Sequence, residues 1–277
     1  MIGGFLAFLR RDVRAAMAIA YLALLVVVAF AAPWLSPYSP TAQNVNEMLQ
    51  EPSAAHWMGT DDLGRDILSR LIHGAPATIY ASFLAVAIAI LLGVPVGLLA
   101  GYFGGWIDDV ISRTIDTLLS FPAIVLAIAV TGALGIGLTN GMIAVGIVFA
   151  PQLARLARAR TLVVRHELYV DAARCFGAST PHILWRHVLP NTVQPVIVQV
   201  TLLLAAALLA EASLSFLGLG VQPPNPSWGA MLARAYQTMD VAPEQMYPPG
   251  LAILFTALAF NALGESLRIA LDPTLKR

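Results

Sequence analysis

The feature that most constrains this chain is a series of long stretches without a charged residue. A helix crossing the hydrocarbon core of a bilayer needs about 20 apolar residues, and the sequence supplies such runs repeatedly. Ala15–Ala32 is uncharged between Arg14 and Pro33. Gly74–Ile107 carries no charge, and its apolar part is Ala77–Phe103. Thr117–Ala154 is too long for one crossing. It is interrupted by Gly135-Ile136-Gly137-Leu138-Thr139-Asn140-Gly141, a turn composition that splits it into two spans. Val188–Ala210 and Tyr247–Gly264 complete the set, so the expected fold is all-α, a polytopic membrane protein of six transmembrane helices. A soluble reading fails on charge. Only 12% of residues are charged, half of the roughly 25% that a soluble domain displays.

An even number of crossings puts both termini on one side. With that side cytoplasmic, all of the 16 Lys and Arg residues except Arg65, Arg70 and Arg234 fall inside, which satisfies the positive-inside rule. Arg10, Arg11 and Arg14 followed by the first apolar run and Ala29-Phe30-Ala31 share features with a signal peptide. The run is long for one, and the first span is expected to be retained. Residues 1–73 then form an N-terminal span with an outer loop. Residues 74–277 form a five-helix core containing a cytoplasmic loop, 155–187.

Span two carries Gly93, Gly97 and Gly101, four apart on one helical face, a spacing that lets a neighbouring backbone approach closely in lipid. Pro95 between them is a candidate kink. Trp34, Trp57, Trp106 and Trp228 lie near span ends or in outer loops and read as interfacial anchors.

The loop between spans four and five is the only sizeable polar stretch inside. Tyr169, Ala172, Ala173 and Phe176 recur at i, i+3, i+4 and i+7, one stripe of a short helix from Leu168 that Gly177 can end. Thr180 and Pro181 can start the next helix. A short amphipathic helix held outside the bilayer between two spans is shaped to enter a partner.

Asp171-Ala172-Ala173, with Gly177 four residues beyond and then Val188-Leu189-Pro190, resembles the EAA loop of ABC-importer permeases. Asp171 stands where that family's name records Glu. Three further segments resemble the C-type permeases of the dipeptide/oligopeptide/nickel importers. These are His56-Trp57-Met58-Gly59-Thr60-Asp61-Asp62-Leu63-Gly64-Arg65-Asp66 followed by Ile67-Leu68-Ser69-Arg70, Ser215-Phe216-Leu217-Gly218-Leu219-Gly220-Val221-Gln222-Pro223-Pro224 with Pro226-Ser227-Trp228-Gly229, and Pro248-Pro249-Gly250 with Leu271-Asp272-Pro273. The resemblance implies a type I importer fold in the bacterial cytoplasmic membrane, working by alternating access. It implies a heterodimer with a B-type permease, two ATPase subunits that bind ATP and Mg, and an extracytoplasmic solute-binding protein. Tyr169, Asp171, Ala172, Ala173, Phe176, Gly177, Leu189 and Pro190 would couple to the ATPase. Peptides are the solutes it implies first, with nickel complexes, glutathione and oligosaccharides as alternatives.

Other clusters are weaker. Asp61, Asp62 and Asp66 lack calcium-loop spacing. Thr60 or Asp61 is expected to cap an interfacial helix whose Ile67, Leu68, Leu71 and Ile72 face lipid. Asp61, Asp62, Arg65 and Asp66 are also candidate contacts for the binding protein. Glu211 is the one carboxylate inside Val188–Leu219, and it reads equally as an interfacial group or as a gate or pathway residue.

No histidine pair has HExxH spacing, so no metal ligand is assigned. The only lysine is Lys276, which excludes the Gly-Lys pair of a P-loop, and no GxSxG elbow occurs. The chain is therefore expected to be a non-catalytic subunit binding no cofactor of its own. Zero net charge gives no ground for nucleic acid. A carrier driven by an ion gradient would bury several ionisable groups at mid-membrane, and Glu211 is the sole candidate.

Overall fold

A computed structural model describes residues 12–271, and among these no β-strand forms. The basic ends at Arg10, Arg11, Lys276 and Arg277 and the Asp272-Pro273 tail lie outside the described residues. Helix α1 (Val13–Leu35) begins where Asp12 Oδ1 accepts from the Arg14 and Ala15 amides at 3.0 and 3.2 Å. A 3-10 turn at Val45–Glu47 interrupts the outer loop, and α2 (Ile67–Phe103) follows. Next come α3 (Gly105–Ser120), α4 (Ala123–Leu134) and α5 (Leu138–Val164). The short α6 (Leu168–Cys175) precedes α7 (Thr180–Ile183), a π-turn at Leu184–Val188 and α8 (Leu189–Phe216), which make one apolar span. The outer helix α9 (Trp228–Gln237) leads to α10 (Tyr247–Leu271).

Five helical segments are long and apolar enough to cross a membrane, and the count is six if the bent pair α3–α4 is taken as one broken span. The break at Gly135–Gly137 falls where the turn composition places it, with both glycines at positive φ. Span three departs from a simple crossing. Its α4 is about 18 Å long, too short for a hydrocarbon core of about 30 Å, and α3 meets it at 97°. Charge accompanies the bend. Asp108, Asp109, Arg113 and Asp116 make α3 costly to place in hydrocarbon. Arg158 of α5 donates to Asp108 (Nη2 to Oδ2 2.6 Å), and Arg155 pairs with Asp116. Helix α5 runs on through Arg155, Arg158 and Arg160, and the loop expected on the cytoplasmic side opens only after Val164.

Helices α2 and α5 meet along the glycine face. A Cβ on Gly97 would lie 2.8 Å from Ala157 Cβ and 2.9 Å from the Arg158 amide nitrogen, and closer still to Ala154 O. One on Gly101 would lie 2.7 Å from Thr161 Cβ. The α2 backbone comes this close to α5 because the glycines present no side chain. Helix α2 continues unbroken through Pro95, so the candidate kink does not interrupt it.

At the other end of the molecule the long loop and α9 form one polar layer. Gln245 Nε2 donates to Thr60 O at 2.8 Å, and Arg234 Nη1 to Asp62 Oδ2 at 2.9 Å. Trp228 is buried at 2% exposure rather than anchoring at an interface. Its ring packs with Ile67, Leu208, Met231 and Ile253, and its Nε1 donates to Leu71 O at 2.9 Å. Trp34, Trp57 and Trp106 are exposed.

Candidate functional site

Helix α6 is held to the membrane domain by one face and bare on the other. Val170 is fully buried, and Ala173 and Ala178 pack with it against the main core. Leu168 and Phe176 are 86% and 92% exposed, and Tyr169, Ala172 and Asp171 are exposed beside them. The expected stripe is thus divided: Tyr169, Ala172 and Phe176 face outward, while Ala173 faces the protein. Leu168, outside the periodic pattern, joins the exposed group. Arg174 donates to Asp171 Oδ1 at 3.1 Å and sits 5.3 Å over the Tyr102 ring at the end of α2. Partial burial, reinforced by Glu167, pushes the Tyr169 phenol above its ordinary value.

The end of α6 is built by Gly177, whose φ is +77°. The Ala178 amide donates to Ala173 O at 3.0 Å and the Gly177 amide to Arg174 O at 2.9 Å, the paired bonds of a Schellman motif. Ala173 and Ala178 supply its apolar contact. Ser179, rather than Thr180, occupies the cap position of α7. Further on, Pro190 has no N–H to continue the helical ladder. The turn before it widens to the π form, with the Leu189 amide donating to Leu184 O. Leu189 is half-buried and Pro190 exposed, so the pair shapes the return of the chain into the bilayer.

The outer constellation is arranged differently from its reading as a free contact surface. Asp66 caps α2, its Oδ2 accepting from the Ser69 amide at 2.7 Å and the Ser69 hydroxyl at 2.6 Å, while Oδ1 meets His56 Nδ1 at 2.9 Å. That cap displaces Thr60 and Asp61 from the expected role, and Ile67 is buried rather than lipid-facing. Asp61 Oδ1 accepts from the Leu63 and Arg65 amides, both at 3.0 Å, and its Oδ2 accepts from Arg65 Nε at 2.7 Å. Arg65 and Asp66 are 1% and 3% exposed, so in this conformation neither can touch a docking protein directly. Asp62 remains partly open. Arg70, the last residue of the outer-loop signature, and Arg234, outside every motif, belong to the same network, which sequence did not reveal. They come from a helix end and from α9, far apart in the chain.

Glu211 is fully buried inside the subunit. Its Oε1 accepts from Ser215 and Ser227 hydroxyls at 2.8 Å each, and Oε2 lies against Gly229. Ser227 in turn caps α9 by accepting from the Ala230 amide at 3.1 Å. The carboxylate pins α9 to α8.

Residues 93–277 match the family described as the binding-protein-dependent transport system inner membrane component, and residues 4–52 match the N-terminal TM domain of oligopeptide transport permease C. The chain belongs to the binding-protein-dependent transport permeases. It is a multi-pass ABC-importer permease subunit. Among the relatives of this permease is the glutathione transport system permease protein GsiD of Pectobacterium atrosepticum. The two are 45% identical over 270 residues, covering 97% of this chain and 89% of that protein. GsiD of Escherichia coli O6:K15:H31 is 47% identical over 270 residues, covering 96% and 88%. The MetNI methionine ABC transporter, solved in inward-facing conformations, superposes with a TM-score of 0.61 at 18% identity, covering 74% of this chain and 98% of that one. At that identity the likeness is one of fold, the type I importer fold.

Proposed function

We propose that this permease is the C-type half of a heteromeric importer whose solute is glutathione or a closely similar small peptide. The observation that carries the solute is 45–47% identity, over almost the whole chain, to permeases named for glutathione transport. The match of residues 4–52 to oligopeptide permeases keeps general peptides as the second reading. The importer should be reconstituted with its own binding protein and loaded with ATP inside. Labelled glutathione should then accumulate, and a large excess of Ala-Ala should not compete. Competition by the dipeptide at equal concentration would favour the second reading.

On this proposal a B-type permease completes the pathway and two ATPase subunits hold ATP and Mg. ATP binding draws the ATPases together and moves α6. The exposed Leu168 and Phe176, with the partly exposed Tyr169, support α6 as the coupling helix, since among the described residues nothing packs over Leu168 and Phe176. An apolar set of this kind, with Asp171 beside it, suits a groove on the ATPase. Hydrolysis resets the cavity.

The lone thiol tests topology and docking together. Cys175 is exposed on α6 and is the only cysteine in the chain. With both termini cytoplasmic, a membrane-impermeant maleimide should not label it in intact cells whose outer permeability barriers have been removed. The reagent should label it in inside-out vesicles, and several-fold more slowly once the ATPases are bound. Rapid labelling from outside would invert the topology. Inside labelling indifferent to the ATPases would move the docking surface elsewhere.

A further inference from the structure

We propose that the outer face of this permease holds a carboxylate-binding pocket built around Arg234. A cavity of about 170 Å³ opens between the end of α8, the loop 221–225 and α9, and Arg65, Arg70 and Arg234 all line it. The charges there do not balance. Arg65 meets Asp61 at 2.7 Å, Arg70 meets Asp61 at 3.4 Å, and Arg234 meets Asp62 at 2.9 Å. Three guanidinium groups thus share two carboxylates. Asp66, the nearest other acid in sequence, is spent on His56 and the α2 cap.

Arg65 and Arg70 are 1% and 3% exposed, so two of the three guanidinium groups are held largely away from solvent and depend on nearby carboxylates. Arg234 is the member free to respond. Among the described residues it uses only Nη1, on Asp62, and its side chain is 31% exposed. The rest of its fork has the geometry that grips a carboxylate with two parallel bonds. Asn225 and Gln237, also in the lining, make no side-chain hydrogen bond among the described residues and can donate to the same group. The volume corresponds to roughly five or six waters. It admits a carboxylate and the start of the chain behind it.

Such a carboxylate has two sources, one end of the solute or an acidic side chain of the docking binding protein. The first rests on the importer reading above, so the primary probe is acetate, which requires no knowledge of the solute. The assembled importer in lipid nanodiscs should unfold at a higher temperature in sodium acetate than in sodium chloride of equal ionic strength. Arg234→Gln should remove that difference. Ala233→Glu, which supplies a carboxylate to the same pocket from within the chain, should also remove it while preserving the chloride midpoint.

Source is then read separately. Stabilisation by glutathione but not by its diester, lost in Arg234→Gln, assigns the pocket to the solute. A roughly tenfold weaker affinity of Arg234→Gln for the binding protein, from losing a charged hydrogen-bonded pair, assigns it to docking. An acetate response equal in wild type and both variants would overturn the pocket, whatever solute the importer carries.

Discussion

Gly97→Ala should destabilise this permease, whereas Gly132→Ala should leave it unchanged or slightly more stable. Both glycines lie inside helices, where alanine is the better former by about 1 kcal/mol. Propensity alone predicts a gain at each. The surroundings separate them: a Cβ on Gly132 meets nothing within 4 Å, while one on Gly97 meets Ala157 Cβ at 2.8 Å and the Arg158 amide nitrogen at 2.9 Å. These obstacles include backbone, which no rotamer change can relieve, so α2 and α5 must separate. Overpacking of this kind costs about 1–3 kcal/mol, occasionally more, and the pair is the central contact of the core. The expected result is a fall of several degrees in the detergent melting temperature and less protein in the membrane for Gly97→Ala. Equal melting of the two variants would mean that the two helices are not in backbone contact.

That contact was legible from sequence because it depends on spacing alone, three small residues four apart. The spans were legible for a similar reason, since an uncharged run has few other places to go. Span three shows the limit. Its uncharged run begins at Thr117, which suggested a crossing from there. The charges just before it on α3 find partners 39 to 50 residues away, on Arg155 and Arg158. Those partners tie α3 to α5, and no local pattern encodes them. Trp228 was misplaced by the same kind of distance. A tryptophan near a span end reads as an anchor, and only the folding of α9 against α2 and α8, with the Leu71 carbonyl waiting, makes it core.

Around the candidate site, Gly177 and the short helix before it were readable, but which face turns outward was not. Apolar residues lie on both sides of α6. Periodicity finds the stripe without saying that Val170 and Ala173 hold the protein while Leu168 and Phe176 are left bare. The outer acids misled for a related reason. A run such as Asp61-Asp62-Leu63-Gly64-Arg65-Asp66 looks like exposed polar loop, yet three buried or half-buried arginines absorb it. In a membrane protein the outer polar layer must satisfy its own charges, and a contact surface and a scaffold have the same composition.

Gly177→Val should abolish uptake while leaving insertion, assembly and the melting temperature nearly intact. A Cβ at Gly177 would meet nothing within 4 Å, so no packing clash arises. The whole effect comes from φ of +77°, a conformation that costs an L-residue about 1–2 kcal/mol and a branched one more. The chain escapes that cost by leaving the left-handed region. Doing so breaks the bonds from the Ala178 and Gly177 amides to Ala173 and Arg174, and α6 swings relative to α7. The membrane domain barely registers the change because only Val170, Ala173 and Ala178 of this segment enter the core. On the coupling proposal, transmission depends on where Leu168, Tyr169 and Phe176 point, and the glycine sets that direction. Gly177→Asn is the control, since asparagine tolerates the left-handed region, and it should retain most of the uptake. The decisive measurement is ATP-driven uptake in proteoliposomes, with co-purification of the ATPase subunits as the second readout. Valine and asparagine variants transporting equally well would show that the αL end of α6 has no part in coupling.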